Sequence, residues 1–174
     1  MDKELVFASF NRGKYDEVVD IFSEGGFKLH SLESYRAPCP EETGASFVEN
    51  ALIKAYSAAK HTGLPVIADD SGLVVPALGG APGVYSARYS GDTATDGANN
   101  TLLLKNMQGV HDRHAYYFCA LVFVRHANDP VPIICQGRWD GKILTAAEGE
   151  SGFGYDPLFW AFSTKLAPVS SGQG

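Results

Sequence analysis

The sequence predicts a single α/β domain, residues 1–174, built on a mixed β-sheet flanked by helices. Three observations carry that expectation. Through residue 107, short apolar runs alternate with helical patterns. Beyond residue 115, apolar runs follow one another with only turn signals between them, which reads as hairpins. A chain of 174 residues, 45% hydrophobic, also suits one domain that needs no metal or disulfide staple to form a core.

Leu5-Val6-Phe7-Ala8 reads as a buried strand. A polar loop follows, then a helix over 14–24 with Val18, Ile21 and Phe22 inward, stopped by Gly25-Gly26. Residues 27–32 suit a second strand, and Pro38, Pro40 and Gly44 keep 37–44 irregular. Ser46 and Glu49 form an S-x-x-E capping box for the clearest helix, which runs to His61 and stops at Gly63. A strand over 65–69 leads into acidic residues, and another over 73–78 is interrupted by Pro76. A glycine-rich loop, 79–89, precedes a helix over 97–107 capped by Asp96. Strands at 116–125 and 131–139 flank the turn signal Asn128-Asp129-Pro130. Asp140-Gly141 invites a further turn, and the aromatic stretch 153–160 a late strand. There is no internal repeat, low-complexity segment or linker.

A net charge of -6 makes the chain a poor partner for a nucleic-acid polymer or an anionic membrane. No apolar run is long enough to span a membrane, and no apolar segment follows a basic N-terminus, so a soluble cytoplasmic protein is the expectation. Cys39, Cys119 and Cys135 are too widely spaced for a disulfide framework or a zinc pair and read as buried, reduced thiols. The five histidines show no ligand spacing.

Four segments carry possible chemistry. Ser9-Phe10-Asn11-Arg12-Gly13-Lys14 joins a strand to a helix, where free backbone N–H groups and Lys14 favour an anion. It lacks the spacing of a Walker A loop, and alone it reads as an ordinary strand-to-helix loop. Asp69-Asp70-Ser71-Gly72 ends an apolar strand, and two adjacent carboxylates suggest a divalent cation that relieves their repulsion; a β-turn is the plainer alternative. Glu41-Glu42-Thr43-Gly44 offers either glutamate as a second metal ligand, or a solvated acidic loop. Lys54, on the capped helix, reaches phosphate or stays exposed, the commoner fate of a lysine. In Gly152-Phe153-Gly154-Tyr155-Asp156-Pro157, the aromatic rings can stack on a purine or simply fill a core.

In order along the chain stand Asn11-x-Gly13-Lys14, Glu41-Glu42-Thr43-Gly44, Phe47-x-Glu49-Asn50-Ala51-x-x-Lys54-Ala55, and Ala68-Asp69-Asp70-Ser71-Gly72-Leu73. The segment from Gly79 to Tyr89 and Gly152-Phe153-Gly154-Tyr155-Asp156-Pro157 complete the set. This combination resembles the inosine triphosphate pyrophosphatase family, also called non-canonical purine NTP pyrophosphatases, over nearly the whole chain. The resemblance implies an elongated mixed sheet with two lobes and a central cleft, and a homodimer. It implies Mg²⁺-dependent hydrolysis of ITP, dITP or XTP to the monophosphate and pyrophosphate. By position, Ser9, Phe10, Asn11, Arg12, Gly13 and Lys14 hold the triphosphate with Lys54. Glu42 and Asp70 hold the metal. Asp70 also activates water, Ser71 contacts the nucleotide, and Phe153, Gly154, Tyr155 and Asp156 border the base. The sequence departs from the family pattern at Ser9-Phe10, where Thr-Gly is usual, and in the tail. No histidine follows His126 and no arginine follows Arg138, so a Ser-His-Arg-Gly element that reads the base, and the helix after it, have no counterpart. On that reading the expected consequence is low activity and reduced preference for ITP over ATP. The alternative is a catalytically weak purine nucleotide-binding protein.

Overall fold

The computed structural model describes residues 3–9, 11–148 and 153–162. Among these, β1 (Lys3–Phe7), β2 (Phe27–Ser31), β3 (Val66–Val74), β4 (His114–Val124), β5 (Ile133–Ile143) and β6 (Phe159–Ala161) form one sheet. Its order is β2-β1-β3-β4-β5-β6. β1 lies parallel to β2 and β3, and every later pairing is antiparallel. The helices α1 (Arg12–Glu24) and α2 (Phe47–Thr62) supply the connections that parallel neighbours require. The hairpins expected beyond residue 115 supply the antiparallel half. The sheet is mixed and flanked by helices, as the alternation predicts.

Period-two alternation along the strands sorts the core. Leu5, Phe7, Leu29 and Ile67 face α1, where Tyr15, Val18 and Phe22 cover them. Val6, Val66, Ala68, Ala120 and Val122 face α2 through Ala51, Ala55 and Ala58. At the other end of the sheet, α3 (Asp96–Asn106) buries Leu103 against Leu73, Ile143 and Tyr155.

β1 pairs with β3 only at Val6↔Val66 and Phe7↔Ile67, whereas β4 accompanies β3 throughout. Beyond Ile67 one edge of β3 is therefore open. A 3-10 helix, Gly83–Arg88, lies along it: the Leu73 N–H donates to Ser86 Oγ at 2.9 Å. This opening, past the carboxyl end of β1, is where open α/β sheets place ligands.

Gly72 permits that close approach. A Cβ there would sit 2.3 Å from Ser86 Oγ and 2.7 Å from the Gly83 carbonyl. Gly72→Ala should destabilise the protein by about 1–3 kcal/mol through overpacking, read by chemical denaturation. Unchanged stability would contradict the contact.

Several local expectations need correction. Asp69-Asp70-Ser71-Gly72 lies inside β3 and is neither a turn nor a strand end, because β4 continues to pair with it. Asp140-Gly141 likewise continues β5, and Gly141 leaves room for β6, whose Trp160 carbonyl lies 2.4 Å from where a Cβ would be. α1 begins at Arg12, with Asn11 as its cap, and Ile21 points to solvent. Thr95, not Asp96, caps α3. Within 153–160 only the end is strand; Asp156–Leu158 is a 3-10 turn. Cys39 and Cys135 are exposed and Cys119 is intermediate, so none is a buried thiol. Phe10, Gly152 and the tail, including Ser171, Gly172 and Gln173, lie outside the described residues.

The β4–β5 turn contains a further charge pair, Arg125–Asp129. Asp129 is 2% exposed. It accepts from the Arg125 N–H at 2.9 Å, Arg125 Nε at 2.8 Å and the Val131 N–H at 3.1 Å. The Arg125 hydrogen bonds hold its carboxyl well below the usual carboxylate range. A depressed folded-state pKa stabilises fully above the unfolded value of about 4 and is lost as pH falls through the folded value. Asp129→Asn should therefore lower the unfolding midpoint at pH 7, and the gap to wild type should narrow as pH falls below about 4. A gap that does not depend on pH would contradict the ionic account.

Candidate active site

Asp69 and Asp70 are neighbours in a strand, so their side chains leave opposite faces of the sheet. Asp69 follows the parity of Ile67, toward α1, and Asp70 that of Ala68, toward α2. Each consequently meets a different lysine. Lys14 Nζ, from the first turn of α1, lies 2.5 Å from Asp69 Oδ2 and donates to Ser71 Oγ at 2.9 Å. Lys54 Nζ, from α2, lies 3.0 Å from Asp70 Oδ1 and 2.9 Å from Glu42 Oε1. The mutual repulsion expected of the two aspartates is thus relieved by geometry and by two separate cations.

Lys54 is not the solvated lysine that residue statistics favour: its side chain is 14% exposed. Burial opposes its charge, but Glu42 and Asp70 together hold its pKa above the ordinary lysine value. Burial raises the Asp70 carboxyl above the usual aspartate range, more than Lys54 lowers it. Burial also opposes ionisation of Glu42, yet Lys54 and then Arg88 outweigh it and hold that carboxyl low. The difference arises because Glu42 has a second cation: Arg88 Nη1 lies 3.5 Å from its Oε2.

The loop carrying Glu42 is fixed by Asn50 of α2, fully buried, whose Oδ1 accepts from the Gly44 N–H at 2.8 Å. Gly44 is needed because a Cβ there would lie 2.6 Å from Glu49 Cβ. At the start of α1, Ser9 Oγ accepts from the Asn11 N–H, and Asn11 Oδ1 from the Lys14 N–H. The remaining first-turn N–H groups have no partner within the helix and favour an anion. Beside them lies a cavity of about 230 Å³ whose lining includes Ser9, Asn11, Arg12 and Tyr15, and on its far side Ser31, Glu33 and Ser34. Arg12 itself is largely exposed, 3.9 Å from Asp16.

The segment from Phe153 to Asp156 sits beside α3. Phe153 is 56% exposed, whereas Tyr155 is 3% exposed and its Oη donates to the Ser86 carbonyl at 2.7 Å. Asp156 accepts from Tyr117 Oη and from the Phe153 N–H, both at 3.1 Å.

The model of the Ham1 family matches residues 5–171. The chain belongs to the Ham1 family. A dITP/XTP pyrophosphatase of Vibrio cholerae is 52% identical, covering 98% of this chain and 89% of the relative. A dITP/XTP pyrophosphatase of Pseudomonas syringae is 51% identical with the same coverage. Among solved structures, a HAM1 protein from Coxiella burnetii superposes with a TM-score of 0.87 at 44% identity, over 91% of this chain and 81% of that one. A nucleoside-triphosphatase, dITP/XTP pyrophosphatase, from Mycobacterium abscessus gives 0.78 at 42% identity, over 91% and 83%.

In this Ham1 chain the structure brings Glu42, Lys54 and Asp70 together on one face of β3, and Lys14, Asp69 and Ser71 on the other. Glu42 and Asp70 can hold a hard divalent cation: both offer carboxylate oxygens, and Asp70 Oδ2 is buried without a hydrogen-bond partner among the described residues. No group of three His, Cys, Asp or Glu side chains forms a closed cage among the described residues. Two protein carboxylates leave room for water and phosphate oxygens, as Mg²⁺ sites commonly do. Sequence reading missed Arg88, Asn50 and the Lys14–Asp69 pair. Arg88 lay in the quoted glycine-rich segment, but nothing local linked it to Glu42, 46 positions earlier.

A larger groove, about 640 Å³, contains none of these charges. It runs between Phe47, Val48, Pro82, Tyr85, Tyr116 and Phe118.

Proposed function

We propose that this chain cleanses the nucleotide pool by hydrolysing non-canonical purine nucleoside triphosphates, ITP, dITP and XTP, to the monophosphate and pyrophosphate with Mg²⁺. One observation carries the chemistry: two lysine–carboxylate pairs lie on opposite faces of β3, just beyond the last residues it pairs with β1. The names of the relatives supply the substrate class.

Lys14, Ser71 and the N-terminus of α1 bind the phosphates, with Ser9, Asn11 and Gly13 shaping the approach. Lys54 contributes a second positive charge from the other face. Glu42 and Asp70 hold the cation, which when bound neutralises phosphate charge and so lowers the barrier to cleavage. Asp70 takes a proton from the attacking water. The oxygen bridging the α- and β-phosphates leaves with one product, and the water oxygen stays with the other. Phe153 offers an exposed ring to the purine, with Gly154, Tyr155 and Asp156 shaping its support.

Pyrophosphate release from ITP, dITP and XTP, measured with Mg²⁺ and with chelator, tests the reading. Release should require the cation. A chain that binds ITP yet releases no pyrophosphate would instead fit the catalytically weak binding protein, a reading the relatives' names do not favour. A cytoplasmic location is part of the same proposal; no helix among the described residues is long and apolar enough to cross a membrane. A homodimer is part of the same proposal. The apolar groove and exposed Val131, Ile133 and Trp139 support it, and sedimentation tests it.

A further inference from the structure

We propose that Asp96 and Asn100 of α3 are positioning residues for purine recognition: they clamp the Gly154 peptide from both sides and so fix the ring of Phe153. The inference rests on the reading that Phe153 meets the base. Asp96 Oδ2 accepts from the Gly154 N–H at 2.8 Å, and Asn100 Nδ2 donates to the Gly154 carbonyl at 2.9 Å. The two residues are four apart on a helix and therefore lie on one face, a turn from each other.

Segment 153–156 belongs to no strand, so no ladder holds it. Its polar backbone is taken up partly by a local turn, in which the Phe153 carbonyl accepts from the Asp156 N–H at 3.2 Å, and partly by side chains. The Phe153 N–H goes to Asp156, and both polar groups of Gly154 go to α3. Gly154 has φ +62°, a conformation that glycine adopts without strain. The next residue, Tyr155, is buried and anchored to Ser86. Phe153, by contrast, is 56% exposed, so packing does not orient its ring. Its orientation comes from its own backbone, which Asp156 holds at the Phe153 N–H and carbonyl and which the clamp fixes at the adjoining Gly154. Ordering a stacking group before the ligand arrives removes an entropic penalty from binding.

Asp96 is not the cap of α3, a task that Thr95 performs. The adjacent Asn99 accepts from the Ser90 N–H at 2.8 Å and donates to the Ala87 carbonyl at 3.2 Å, gripping the segment that bears Arg88. Neighbouring residues of one helix thus hold different segments, so Asp96 and Asn100 can be changed without removing the Asn99 contacts to the segment that bears Arg88.

The test is calorimetric binding of IMP and of pyrophosphate to wild type, Asp96→Ala, Asp96→Asn, Asn100→Asp and Phe153→Ala. Asn100→Asp is near-isosteric but removes the donor, so it should fold. Asp96→Asn keeps an accepting oxygen and should bind as wild type does. Asp96→Ala and Asn100→Asp should weaken IMP about tenfold, the loss of one hydrogen bond's worth of order, with pyrophosphate changed by less than about twofold. Equal weakening of both ligands would indicate general structural damage and overturn the proposal. Wild-type IMP affinity in Asp96→Ala and Asn100→Asp, with Phe153→Ala weakened, would overturn the clamp and leave the base reading standing. Wild-type IMP affinity in Phe153→Ala would overturn the base reading, and the clamp with it.

Discussion

Asp70→Asn should abolish turnover of ITP while leaving the fold intact. The amide matches the carboxyl in shape but carries no charge and cannot take a proton from water. Loss of one such group commonly lowers the rate on the order of a hundredfold or more. The fold should tolerate the change because burial already disfavours the charged form of Asp70, as its raised pKa records. Lys54 keeps Glu42 as a partner at 2.9 Å. The unfolding midpoint at pH 7 should therefore stay near the wild-type value. The measurement is kcat at saturating Mg²⁺ beside a thermal melt, and a variant that keeps most of its kcat would refute the role. Asp69→Asn should do less, since Asp69 faces α1 and the proposed cation ligand is its neighbour Asp70.

Lys54→Met should be the second severe change, and it should affect stability as well as rate. Lys54 is the one cation within reach of both Glu42 and Asp70 among the described residues. Without it Asp70 is left buried without a counter-ion. Breaking a buried pair in this way costs about 3–5 kcal/mol. Arg88, 3.5 Å from Glu42 Oε2, offsets only part of this, because it does not reach Asp70. Turnover should fall by about a hundredfold, since a phosphate-neutralising charge is also gone. Mg²⁺ should then raise the unfolding midpoint more in the variant than in wild type, because it supplies the missing positive charge to the folded state alone. An equal Mg²⁺ shift in both proteins would contradict placing the cation between Glu42 and Asp70.

Much of the fold was readable because it rests on local signals. Ser46 and Glu49 announce the start of α2, and both halves of their capping box are present. Gly63 ends the helix in a left-handed conformation, as its sequence position suggests. Two of the errors share one cause. Asp69-Asp70-Ser71-Gly72 and Asp140-Gly141 carry turn residues, and local chemistry reads them as turns. Long-range pairing with β4 overrides it in both cases. Ile21 was misplaced because a helical stripe predicts a face only to within about one residue.

The candidate site was legible as a set of residue types but not as a geometry. Lys14, Glu42, Lys54 and Asp70 were all singled out. That Asp69 and Asp70 serve opposite faces follows only once the strand is known to continue through them. Arg88 could not be found, because its partner Glu42 is distant in sequence. Asn50 was also hidden: it resembles any helix asparagine until its bond to Gly44 is seen.

The central claim is cleavage between the α- and β-phosphates, and identifying the products of ITP hydrolysis tests it most directly. Phosphorus NMR of a reaction with Mg²⁺ should show IMP and pyrophosphate rising together in equal amounts, with no IDP at any time. Accumulation of IDP with orthophosphate would place the cut at the terminal phosphate and contradict the account.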